Sequence, residues 1–134
     1  MIFLDSSFLF AFYSAKDERH ERAKMLMQDI VNGKYGSAYV SDYVFDELVT
    51  VVFARLRGIK EAARVGKSLF ETVDFLYVNE EGFDTAWKIF SNQKTSSLSF
   101  TDCTSVAAMK GNGIENIATF DSDFKAVNGI TVVR

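Results

Sequence analysis

Proline is absent, cysteine and histidine occur once each, and no apolar run approaches the roughly 18–20 residues of a membrane span. Each scarcity removes a class of function. A lone Cys103 excludes an internal disulfide and any cysteine-based zinc site. Helical spacing turns it toward Val106 and Ala107, a core direction. The single His20 sits in the charged run Lys16-Asp17-Glu18-Arg19-His20-Glu21-Arg22 and reads as part of a solvated helix face. Ser6-Ser7-Phe8-Leu9, after the first apolar run, holds no glycine, so a phosphate-cradling loop is missing there. The N-terminus MIFLDSSFLFAFY lacks the basic start and small-residue cleavage site of a signal peptide, so a cytoplasmic protein is expected. Repeats, low-complexity tracts and linker-like segments are absent too.

What is present describes one folded domain over residues 1–134, with 48% hydrophobic and 25% charged residues. Five short β-rich runs stand out: Ile2 to Leu4, Ser37 to Val40, Phe75 to Val78, Ile117 to Phe120 and Ile130 to Val133. Most lack polar alternation, as strands buried on both faces do. Helical stripes fill the intervals: Ala23, Leu26, Met27, Ile30; then Ile59, Ala62, Ala63, Gly66, Leu69, Phe70, Val73; then Phe83, Ala86, Trp87, Phe90. Asn32-Gly33, Gly58, Gly111-Asn112-Gly113 and Asn128-Gly129 punctuate them. Helices alternating with strands predict an α/β fold, a parallel sheet covered on both faces by right-handed crossovers. Phe8, Phe10, Phe12 and Tyr13 read mainly as core, with the remainder available as a protein-binding surface.

In such sheets ligands bind beyond the carboxyl ends of the strands. Asp5 closes the first β-run and Asp121 the fourth; Asp102 begins a helical run from Thr101 to Lys110. Glu47 lies on a helix from Asp42 to about Leu56, in a narrow polar strip with Asp46, Thr50 and Arg57. Each acid has a plain structural alternative. Asp5 and Asp102 suit helix caps, with Ser99-x-x-Asp102 resembling a capping box; Asp121 suits a turn, and Glu47 a solvated edge. Together, three acids at strand ends or helix starts can meet at one rim. Carboxylates ~4 Å apart repel by about 4 kcal/mol at an effective dielectric near 20, so such a cluster calls for a cation. All-oxygen ligands select a hard ion, Mg²⁺ or Mn²⁺.

The net charge is −3, from 15 basic and 18 acidic residues. Four acids set aside for metal leave 18 − 4 = 14, close to balance, so a nucleic-acid substrate is compatible. The segment Arg55 to Lys67 carries Arg55, Arg57, Lys60, Arg64 and Lys67 against one Glu61. Lys60, Arg64 and Lys67 share a helical face, the expected RNA contact.

The chain resembles PIN-domain nucleases, and in length and layout the VapC-type toxin ribonucleases. Three segments carry the likeness: Phe3-Leu4-Asp5-Ser6-Ser7, Leu98-Ser99-Phe100-Thr101-Asp102-Cys103, and Thr119-Phe120-Asp121-Ser122-Asp123-Phe124 followed by Gly129-Ile130. The resemblance implies a three-layer α/β/α fold with a five-stranded parallel sheet of order 3-2-1-4-5. It implies metal binding by Asp5 and Asp102, with Glu47 and Asp121 completing the acidic cluster and Asp123 as accessory. Glu47 rather than Asp46 follows from the family's acid-Leu pair, Glu47-Leu48. Ser7 and Thr119 are implied as hydrogen-bonding supports. The implied activity is Mg²⁺- or Mn²⁺-dependent hydrolysis of RNA phosphodiesters. The implied partners are a cognate antitoxin and a second copy of the chain, with Phe8 to Tyr13 and the helix around Ala23 to Val31 offering apolar surface.

Three alternatives stand beside this reading. A receiver-like phospho-acceptor domain would carry an acidic pair after the first strand and a Lys after a late one, where Ser6-Ser7 and Ser122-Asp123 stand. A haloacid-type phosphatase would fail similarly at Ser7, two residues past Asp5. A catalytically silent PIN-like binding module is the third alternative.

Overall fold

The computed structural model describes residues 1–56, 58–94 and 97–134; Arg57 of the basic segment lies outside them. Five strands, β1 (Ile2–Leu4), β2 (Ala38–Ser41), β3 (Asp74–Leu76), β4 (Asn116–Ala118) and β5 (Thr131–Val133), form one sheet of order β3-β2-β1-β4-β5. All neighbouring pairs are parallel, Ile2 facing Ala38 on one side and Asn116 on the other. This is the order expected from the resemblance, and it differs from the 2-1-3-4-5 order of receiver folds. Ile2, Phe3 and Leu4 are wholly buried, as a central strand covered on both faces must be.

Six helices cover the sheet: α1 (Ser6–Tyr13), α2 (His20–Val31), α3 (Asp42–Arg55), α4 (Ile59–Thr72), α5 (Glu80–Ser91) and α6 (Phe100–Gly111). Caps set their ends. The Ser41 hydroxyl accepts from the Val44 N–H at 3.1 Å, and the Asn79 side chain caps α5. At the other end of α6, Gly113 adopts φ 64°; its N–H reaches the Lys110 carbonyl (3.4 Å) and that of Ile114 reaches Met109 (2.9 Å). Gly33 closes α2 the same way at φ 81°. Both glycines occupy the left-handed position that terminates such helices. Between α3 and α4 the packing is close: a Cβ on Gly66 would stand 3.2 Å from the Phe45 ring.

The folded chain overturns one expectation and refines three others. His20 is no solvated face: it opens α2 half-buried, with Nδ1 2.8 Å from the Ala11 carbonyl, so Nδ1 carries the proton and donates. Within Phe8 to Tyr13, Phe8 is fully buried and Phe10, Phe12 and Tyr13 pack against the core, so this run offers a partner little. On α5 the opposite holds. Ala86 is buried, yet Phe83, Trp87 and Phe90 remain 45%, 55% and 38% exposed, gathered around Phe100. Periodicity marks an apolar face but not what covers it. Likewise the α4 stripe divides. Ala62, Gly66 and Leu69 are buried, while Ile59 and Phe70 border an open apolar groove between α3 and α4.

Candidate active site

The sheet's strand order sets β1 beside β4, and the Asp5 N–H donates to the Ala118 carbonyl at 3.0 Å. The chain leaving β1 turns at once into α1, capped by Asp5 itself, whose carboxylate accepts from the Ser7 N–H at 3.3 Å. Asp5 is therefore both a cap and a rim residue, 2% exposed. Its Oδ2 also accepts from the Ser7 hydroxyl (2.6 Å) and the Thr119 hydroxyl (2.7 Å). These hydroxyls are anchored in turn: Ser7 Oγ accepts from the Phe120 N–H (3.1 Å) and Thr119 Oγ1 from the Asp121 N–H (3.0 Å). The chain after β4 is thus sewn to the start of α1. Since β4 ends at Ala118, Asp121 stands three residues beyond the strand rather than directly on its end.

The other acids repeat one arrangement. Asp102 completes a capping box on α6: its Oδ2 accepts from the Ser99 N–H (2.7 Å), and Ser99 Oγ accepts from the Asp102 N–H (3.1 Å). Asp121 Oδ1 accepts from the Asp123 N–H (2.8 Å). Glu47, from the middle of α3, accepts the Ser6 hydroxyl on Oε2 at 2.5 Å. In all four, one oxygen holds local backbone or a neighbouring hydroxyl, and the other has no hydrogen-bond partner among the described residues. All four line one pocket of about 440 Å³ with Ser6, Ser7, Phe10, Leu48, Val51, Ser97 and Ser99. Structural capping and a shared acidic site are compatible because a carboxylate has two oxygens.

Electrostatics carry the mark of burial first and of neighbouring charge second. Burial raises the Asp5 pKa, with the Ser7 and Thr119 hydroxyls and the backbone opposing it incompletely. Asp102 is pushed to about 6 by burial first, with the Ser99 contacts lowering it and the charges of Asp5 and Asp121 raising it again. The Cys103 thiol, buried beside Asp102, is pushed up to about 11 and is no nucleophile.

Asp5 Oδ1 is buried without a hydrogen-bond partner, a costly state for a carboxylate oxygen unless a cation meets it. Among the described residues no three acids stand close enough to enclose an ion between them. Mg²⁺ needs no closed protein cage, since it is commonly held by one or two carboxylates with several waters retained. The donor set of all-oxygen ligands in a shared pocket fits such an ion.

The remaining residues singled out from sequence fall elsewhere. Asp123, in the 3-10 turn Asp123–Ala126, accepts from Ser97 Oγ and does not line the pocket. Asp46 is exposed, whereas Glu47 is half-buried at the pocket wall. Lys60, Arg64 and Lys67 all stay on α4 outside the pocket; Arg64 forks onto Glu61 and Lys67 lies 3.7 Å from Glu71. Conversely, Ser6, Asp17 and Arg19 line or brace the site without having been singled out for it, and Arg55, the first residue of the segment expected to contact RNA, lines it too. The signal for Asp17 and Arg19 was faint: a charged run that looked like one solvated face.

A model of the PIN domain matches residues 2–130. The chain is 32% identical over 132 residues to the 23S rRNA-specific endonuclease VapC20 of Mycobacterium tuberculosis, covering 98% of both. It is 25% identical over 123 residues to a VapC ribonuclease of Archaeoglobus fulgidus, covering 90% of this chain and 77% of that one. Its fold superposes on the crystal structure of VapC20, described there as a sarcin-ricin loop cleaving toxin, with a TM-score of 0.86 at 30% identity over 96% of this chain and 95% of that one. With FitAcB of Neisseria gonorrhoeae it shares the fold alone, at 22% identity over 100% of this chain and 97% of that one, with a TM-score of 0.72.

Proposed function

Since the chain belongs to the PIN-domain family, we propose that it is a Mg²⁺- or Mn²⁺-dependent endoribonuclease of the VapC toxin kind, cutting a structured loop of ribosomal RNA. One observation carries the reading: four carboxylates from distant parts of the chain each commit one oxygen to the scaffold and leave the other unpaired at a common pocket. Asp5 and Asp102 are the primary ligands in this reading, Glu47 and Asp121 the completing acids.

When bound, the ion supplies an acidified water and positive charge against the phosphodiester oxygens. The chain's own residues supply position. Ser7 and Thr119 fix Asp5 in one rotamer, so its free oxygen keeps its direction. Ser6 does the same for Glu47 across 41 residues of sequence. Leu48, Val51 and Phe10 make an apolar wall that excludes bulk water and strengthens the charges facing it. The reading asks for no histidine or lysine as a general base.

The test is cleavage of total RNA, and of a synthetic hairpin bearing the sarcin-ricin loop sequence, with Mn²⁺ or Mg²⁺. The wild type is expected to cut the hairpin, and Asp5→Asn to lose at least a hundredfold in rate, the order of loss when one preorganised charge-stabilising group is removed. Near-equal rates would overturn the assignment. The reading also brings an inhibitor, a small antitoxin protein, because RNA cleavage endangers the cell that makes the enzyme. No helix among the described residues is long and apolar enough to cross a membrane.

A further inference from the structure

The acidic pocket has a charge problem that its carboxylates do not solve. Asp5, Asp17, Glu47, Asp102 and Asp121 line it, five acids, against Arg19 and Arg55. A phosphodiester entering this pocket meets repulsion unless the two guanidiniums receive it, and both are held in a manner suited to that. Arg19 lies with its guanidinium 5.2 Å from the centre of the Phe120 ring, directly before Asp121 in sequence. Asp17 braces it, accepting from the Arg19 N–H at 2.8 Å and from Nε at 3.3 Å. Among the described residues nothing accepts from its terminal nitrogens. Arg55, in the last turn of α3, lies over the Phe10 ring at 5.6 Å and has no ion-pair partner among the described residues. It also borders a neighbouring hollow lined by Tyr13, Ser14, Lys16 and Leu56.

We infer that Arg19 and Arg55 form a phosphate clamp on the RNA backbone, gripping phosphates that flank the one placed against the carboxylates. The inference rests on the nuclease reading above and adds the residues that bring the polyanion to an acidic site. Guanidinium is the appropriate group, since its planar fork matches two phosphate oxygens and it stacks on aromatic faces without losing its donors. The aromatic rings hold each arm in place, so less side-chain freedom is lost on binding. Asp17 serves Arg19 as a brace: burial raises its pKa, but the N–H and guanidinium of Arg19 outweigh burial and keep it ionised.

The salt dependence of binding provides the test, because each phosphate contact contributes a roughly fixed increment to the slope of log K against log salt. The probe is the same RNA hairpin, and binding is measured in EDTA on the Asp5→Asn protein so that cleavage does not enter. Arg19→Gln and Arg55→Gln are each expected to flatten the slope by roughly 0.7 to 0.9, and the pair by about twice that. A Lys60→Gln/Lys67→Gln variant is expected to leave it unchanged. Arg55 is exposed, so its variant keeps the fold, and its slope decides the matter where Arg19→Gln unfolds. In the cleaving wild-type background the Arg19 and Arg55 variants should raise KM more than they lower kcat. Unchanged slopes in the Arg19 and Arg55 variants overturn the clamp while leaving the nuclease reading intact. A wild type that cuts the hairpin in Mn²⁺ separates the two readings; a chain that neither cuts nor binds it overturns both.

Discussion

The α4 face and the pocket rim both carry charge, and they differ in how that charge is held. On α4, Arg64 spends its fork on Glu61 three residues earlier, and Lys67 lies near Glu71 four residues later. Those pairs join neighbours of one helix turn, on exposed surface, where such contacts contribute a few tenths of a kcal/mol. At the rim, charges come from the cap of α1, from α3 and α6, and from the segments before α2 and after β4. Thr119 and Ser6 brace Asp5 and Glu47 from other elements, while Asp102, Asp121 and Arg19 are held by near neighbours in sequence. Local pairing settles a charge; long-range bracing aims it. The residues worth mutating are therefore the supports as much as the acids.

The largest effect that sharpens this contrast comes from uncharged positions. Ser7→Ala and Thr119→Val remove the donors that orient Asp5 while leaving every carboxylate in place. Each is expected to weaken Mn²⁺ affinity by roughly 10–100-fold, the usual cost of losing a support to a metal ligand. Thermal-shift titration with Mn²⁺ measures it. If affinity is unchanged in both, aiming is not what the hydroxyls do.

A smaller effect appears in the metal-free protein. Asp5 and Asp102 both have folded-state pKa values raised above the ordinary value of 3.8, Asp102 to about 6. Between those values the folded chain holds more protons than the unfolded one, so stability falls as pH rises through that window. The EDTA-treated protein is expected to melt a few degrees higher at pH 5 than at pH 7. Asp102→Asn should flatten that dependence, less the part lost with its half of the capping box. A melting temperature that instead climbs from pH 5 to 7 would contradict the raised pKa values of these buried acids.

The smallest effect is expected on α4. Arg64→Gln should change the stability by about 0.5 kcal/mol or less, since its ion pair with Glu61 is exposed. Chemical denaturation resolves that. A loss of several kcal/mol would break the comparison, showing that the Arg64 guanidinium over Tyr13, at 5.8 Å from the ring centre, carries tertiary packing.

Much of this site was legible because several of its acids do two jobs. Asp5 before an apolar helix and Ser99-x-x-Asp102 before another are cap signatures, and caps mark helix starts at the rim. The family likeness then singled out those acids and preferred Glu47 to Asp46. Less legible were Asp17 and Arg19, since a run of alternating charges looks solvated until a ring from residue 120 closes over it. Asp123 shows the reverse: two residues from Asp121, it turns to Ser97 and away from the pocket.

By itself the sequence determined the α/β class, the sites of the strands and helices, their glycine and hydroxyl ends, and the burial of the first strand. These follow from interactions within a few residues, where spacing and side-chain type suffice. Tertiary structure alone decided that four distant carboxylates line one pocket, that the α5 aromatics stay exposed, and that two arginines rather than the α4 stripe border the acids. Those outcomes depend on contacts such as Ser6 with Glu47, 41 residues apart, and Thr119 with Asp5, 114 apart. No local pattern encodes such a pairing; it exists only once the strand order has placed β4 against β1 and the helices have closed over both.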